Sequence, residues 1–169
     1  ANPDPQIVRL IANAGMGFEI SASNELDLLL SMGVDVRKII TSNPIKSPEF
    51  VEKMYQLRVR RFVFDSVTEA EKIVRWAPGS DVIVRLTVEN FESSWPLTDK
   101  FGIEPKEAAK LLLQSRDLGL NPVGITFHVG SQCEGTLSWN AALERAANVW
   151  HSVAKDGGHA RLGIETREA

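Results

Sequence analysis

The sequence predicts an α/β fold in which parallel strands alternate with helices, as part of a (β/α)8 TIM barrel. Three observations carry that reading. Helical and strand-like patterns alternate along the whole chain, the strand-like runs are apolar on both faces, and polar residues fall at the ends of those runs. No low-complexity linker interrupts the alternation, so the 169 residues read as one domain or a piece of a larger one.

The elements follow in order. "DPQIVRLIANAG" has Ile7, Leu10, Ile11 and Ala14 at helical spacing, with Pro5 in the first turn and Gly15 as a stop. "GFEIS" is a short strand and "SNELDLLLSMG" a helix closed by Gly33. "KIITS" is the next strand, and "SPEFVEKMYQL" a helix capped by Ser47 with Pro48 inside its first turn. After the strand "RRFVFD", the helix "SVTEAEKIVRWA" opens on Ser66 and Glu69 in the S-x-x-E spacing of a capping box. "DVIVRLT" is a strand followed by a long loop, then "EPKEAAKLLLQSRDLG" is a helix and "PVGITFHV" a strand. "LSWNAALERAANVWHSVAKDGG" is the last helix and "ARLGI" the last strand, which gives six of each.

Two parallel architectures fit such a series. A doubly wound sheet that binds a dinucleotide carries a Gly-rich fingerprint between its first strand and helix, and none is present. The barrel is favoured because Glu19, Ser42 and Asn43, Asp65, Arg85 and His128 each stand at or near the C-terminal end of a strand. A barrel collects those ends at one mouth.

Composition excludes several classes. A net charge of -3 with both signs intermixed leaves no basic face for nucleic acid. Cys133 is the single cysteine, so an internal disulfide and a multi-cysteine metal site are excluded, and a reducing, cytoplasmic setting is expected. Apolar runs such as "LDLLLSMGV" break well before the roughly 18 residues of a membrane span.

Individual residues carry unequal weight. His128 alone reads as a core imidazole, but Val129, Gly130 and Ser131 behind it add a backbone that can approach a ligand and a hydroxyl that can donate to an anion. Arg85 inside "VIVRLT" must find a partner or cost several kcal/mol, which makes it a site residue. Asp65 can serve a turn, and Glu25 can complement a helix dipole. Cys133 reads as a loop thiol, and Trp76, Trp139 and Trp150 as helix-packing residues. Trp95 has no periodic explanation and is expected over the site or at an interface.

Taken in order, "GFEISASNEL", "NPIKS", "FVFDS", "VIVRL", "WPLTDKFG" and "GITFHVGSQC" resemble the barrel domain of the fold-type III pyridoxal phosphate decarboxylases. That family comprises the ornithine, lysine, arginine and diaminopimelate decarboxylases, and its barrel is alanine racemase-like. The "WPLTDKFG" loop most resembles bacterial ornithine/lysine decarboxylases.

The resemblance implies pyridoxal 5'-phosphate as cofactor, an amino-acid substrate such as ornithine or lysine, a place in polyamine biosynthesis, and a homodimer. It implies that His128 stacks on the cofactor ring, that Ser131 helps hold its phosphate over the tight turn at Gly130, and that Arg85 lies near the active site. Glu19 and Glu25 would lie near the cofactor lysine, Lys100 would reach the other subunit, and Asp65 and Asn43 are weaker correspondences. Relatives carry the cofactor lysine just before the position of Ala1 and a Gly-rich phosphate loop where this chain reads "ARLGIETREA". Residues 1–169 are therefore expected to be an incomplete cofactor-binding barrel without the β-domain, inactive alone. The resemblance also admits a non-catalytic, regulatory relative of the antizyme-inhibitor kind, which the cofactor-facing His128, Gly130 and Ser131 disfavour.

Overall fold

In a computed structural model, residues 3–89, 92–95, 100–155 and 163–167 are described, with backbone alone for Trp95 and for residues 163–167. Strands β1 (Phe18–Ile20), β2 (Ile39–Thr41), β3 (Arg61–Phe64), β4 (Asp81–Arg85), β6 (Asn121–His128) and β8 (Gly163–Arg167) form one parallel sheet in the order β1-β2-β3-β4-β6-β8. Helix α1 (Pro5–Asn13) precedes β1, and α2 (Ser23–Ser31), α3 (Pro48–Gln56), α4 (Val67–Trp76), α5 (Pro105–Asp117) and α6 (Leu137–Lys155) fall between the strands.

The strand order never reverses, so the sheet has no switch point of the doubly wound kind. It also curls. Glu19 of β1, Ile40 of β2, Val63 of β3 and Thr126 of β6 line one cavity of about 430 Å³. In a flat sheet β1 and β6, four positions apart at roughly 4.8 Å each, could not share it. The sheet is thus a segment of a barrel wall, with that cavity as its interior.

Outside the wall, Phe62, Phe64, Val82, Val84, Ile125 and Phe127 are buried under Met54, Ile73, Leu111 and Leu112 of the helices. Helix starts match local chemistry: Asp4 accepts from the amides of Gln6 and Ile7, Ser47 from Phe50, and Ser66 from Glu69. Trp139 packs edge-on against Phe127 at 6.1 Å, and Trp76 and Trp150 also pack on the core, as helical spacing predicts.

The last strand is described over Gly163–Arg167, in register with β6 from Gly124↔Gly163; of the expected "ARLGI", residues 160–162 lie outside the described residues. Three expectations need correction. In α1 it is Val8 that is buried, whereas Ile7 and Leu10 of the expected stripe are exposed. Glu69 does not complete the capping box, because its carboxylate is drawn to two lysines. Finally, β5 (Ser93–Trp95) and β7 (Ser131–Cys133) form an antiparallel pair where loops are expected. Three-residue strands have no alternation to read, and their partners lie 38 positions apart, as in the bond from Ser93 Oγ to Ser131 O.

Candidate cofactor site

His128 is the last residue of β6 and Arg85 the last of β4, its neighbour; Arg85 is in register with Thr126. The two side chains therefore leave adjacent strands toward the same end. Both are nearly buried, at 9% and 8% exposure. Beyond His128 the chain turns through Gly130 at φ +91°, and the Gly130 amide donates to His128 Nδ1 at 2.9 Å. An acceptor at Nδ1 leaves the proton of the neutral ring on Nε2. Burial, and then the charge of Arg85, lower the His128 pKa below its ordinary 6.5. The product is a flat, neutral ring fixed by its own turn.

Arg85 is held from several directions. Its carbonyl accepts from Ile103 N at 3.0 Å, and its guanidinium lies 5.2 Å from the Phe101 ring centre. Burial pulls its pKa down and the Asp65 carboxylate opposes that pull; a guanidinium stays charged throughout. Asp65 follows β3 directly, and its Oδ2 accepts from Gly102 N at 2.8 Å. Gly102 has φ +98°, and a Cβ there would stand 2.5 Å from the backbone of Leu86 and Thr87, so only glycine lets the Lys-Phe-Gly segment lie on the end of β4. Asp65 thus clamps the segment that carries the ring against Arg85.

The remaining expected site residues sit around this pair. Ser131 is half-buried and opens β7, in register with Trp95, so the β5–β7 ribbon follows directly on the turn at Gly130. Glu19 lines the interior cavity with Ser42 and Thr126, a lining that includes neither Arg85 nor His128. Glu25 Oε2 accepts from the amides of Ser21 and Ala22 at 2.7 and 3.0 Å, which fixes the turn leaving β1. Lys100 is exposed beside Phe101, and Asn43 Oδ1 accepts from Ile45 N at 3.1 Å to shape the exit from β2. The Trp95 side chain lies outside the described residues.

Lys46 escapes sequence reasoning. It is a lysine in a short loop, a residue type that is almost always solvated, yet its side chain is 1% exposed. The only available signal is the phrase "NPIKS" itself, which carries no periodicity.

The residues present fit a flat, anionic, phosphorylated ring. His128 offers a neutral face, the Gly130–Ser131 turn offers a hydroxyl and closely approaching backbone, and Arg85 offers a desolvated cation. Fold and mouth together define a barrel-type cofactor-binding domain. The chain belongs to the pyridoxal-dependent decarboxylases, since residues 1–162 match the model of their pyridoxal binding domain.

It is 37% identical to the lysine/ornithine decarboxylase of Selenomonas ruminantium over 159 residues, 94% of this chain and 40% of that protein. It is 35% identical to the ornithine decarboxylase of Caenorhabditis elegans over 149 residues, 88% of this chain and 35% of the relative. A crystal structure of lysine decarboxylase from Selenomonas ruminantium superposes with a TM-score of 0.88 at 37% identity, covering 95% of this chain and 42% of that one. The lysine/ornithine decarboxylase of Vibrio vulnificus, complexed with cadaverine, gives 0.83 at 26% identity, covering 96% and 43%. The chain therefore spans well under half the length of these relatives.

Proposed function

We propose that this domain serves the pyridoxal phosphate-dependent decarboxylation of a basic amino acid, with ornithine or lysine as substrate, in a homodimeric, cytoplasmic enzyme. The observation that carries the reading is the pairing of His128 and Arg85 at adjacent strand ends, with the imidazole oriented by Gly130 and kept neutral. When bound, pyridoxal phosphate supplies the electron sink for the pair left as carbon dioxide departs.

Each residue has a part in holding that group. The neutral His128 ring stacks without placing a second positive charge beside Arg85. Ser131 donates its hydroxyl to the phosphate, and Gly130 keeps the turn tight enough for backbone approach. Arg85, poorly hydrated behind Phe101, presents a positive charge whose effect is strengthened by burial. Glu19 and Glu25 bound the β1 side, Glu25 by fixing the strand exit. Lys100, exposed on the clamped segment, would be free to meet a second subunit in such a homodimer. Among the described residues no helix is long and apolar enough to cross a membrane.

The test has two arms. Pyridoxal phosphate binding to this chain, followed by quenching of tryptophan fluorescence, is expected to weaken at least tenfold in Arg85→Met and in His128→Ala. The full-length protein is expected to release carbon dioxide from carboxyl-labelled ornithine or lysine. Silence with every basic amino acid defeats the activity, and unchanged cofactor affinity in both variants defeats the site.

A further inference from the structure

We propose that Lys46 is a positioning residue for the cofactor mouth, a buried ammonium that sets the exits of β2 and β3 and through them the clamp on Arg85. Its Nζ donates to Val63 O at 2.6 Å and to Asn43 O at 3.0 Å, and stands 2.9 Å from Glu69 Oε1. Both partners of the ion pair are buried, at 1% and 4% exposure. Lys72 joins from the next turn of α4, 2.5 Å from Glu69 Oε2, and donates to Lys46 O at 2.6 Å. The β2–β3 ladder registers at Thr41↔Phe62, and one residue further on Lys46 takes the carbonyl of Val63.

A buried ammonium is a costly way to fill space, since an apolar side chain of the same length packs as well. What it adds is three donors aimed at three separate segments. Two of these end at the mouth: Asn43 follows Ser42, which lines the interior cavity, and Val63 lies two residues before Asp65. Asp65 holds Gly102 N, and the adjoining Phe101 ring faces Arg85, whose charge acts on His128. Lys46 reaches the mouth only through these groups.

This role rests on reading the mouth as the cofactor site, but its first measurement needs no cofactor. In the double variant Lys46→Met/Glu69→Leu both buried charges are replaced by apolar groups of similar size, which preserves stability if the pair is only structural. Hydrogen exchange at the Gly102 amide is expected to quicken about tenfold while protection in β3 and β4 and the melting temperature stay near those of the unaltered chain. Pyridoxal phosphate affinity then falls in parallel. Unchanged exchange at Gly102, a uniform loss of protection across the sheet, or failure of the double variant to fold each overturns the proposal. Loss of Gly102 protection with affinity unchanged upholds the positioning and points the fault at the cofactor reading instead.

Discussion

His128 shows how local geometry sets a protonation state. Its pKa is depressed below 6.5, so between that lowered value and 6.5 the unfolded chain binds more protons than the folded one. The stability this histidine contributes is full above about 6.5 and is lost as pH falls through the folded-state value. An NMR titration of the His128 ring is expected to give a midpoint below 6.5, and Arg85→Met is expected to move it upward because one of its two causes is gone. A midpoint at or above 6.5 in the unaltered chain contradicts the burial described. Gly102 and Gly33 make a second contrast at this scale. Both have positive φ, but only Gly102 lacks room for a Cβ. Gly33→Ala is expected to cost about 1–2 kcal/mol from the left-handed backbone alone. Gly102→Ala adds overpacking of backbone and should cost about 3–5 kcal/mol in all, read by denaturant unfolding.

At the level of elements, the start of α4 separates what a sequence pattern can and cannot convey. Ser66 caps the helix as the S-x-x-E spacing predicts, and Ser66→Ala is expected to cost about 1 kcal/mol. Glu69 is a different matter: Glu69→Ala strands the buried Lys46 and should cost about 3–5 kcal/mol in the same unfolding measurement. Equal costs for the two variants would show that Lys46 is satisfied without its carboxylate. The pattern was legible for Ser66 because capping is local, with donor and acceptor three residues apart. It misled for Glu69 because one of the two competing ammonium groups, that of Lys46, comes from a loop 23 positions earlier. The same division runs through the molecule. Strands of five or more residues, such as those holding "VIVR" and "GITFH", announced themselves and delivered Arg85 and His128 to one end. The β5–β7 ribbon and the Asp65–Gly102 bond depend on long-range pairing, which neither period nor propensity encodes.

For the whole molecule the governing fact is a curled parallel sheet whose β1 and β8 each have one sheet neighbour among the described residues. A strand edge of that kind presents unpaired amides and carbonyls, a template for a second chain. Large apolar side chains are also exposed just before β1 in the chain: Leu10 at 69% and Met16 at 59%, while α1 buries Val8 alone. A net charge of -3 provides little general repulsion. The 169-residue chain on its own is therefore expected to associate, its mean mass in sedimentation equilibrium rising above 18.7 kDa as concentration increases through the micromolar range. Leu10→Lys should weaken that association about tenfold, because Leu10 touches solvent and the change replaces an exposed apolar side chain with a charge without emptying the core. A chain that keeps its monomer mass at every concentration would mean that edge and helix are protected by their own geometry, and Leu10→Lys would then leave the mass unchanged.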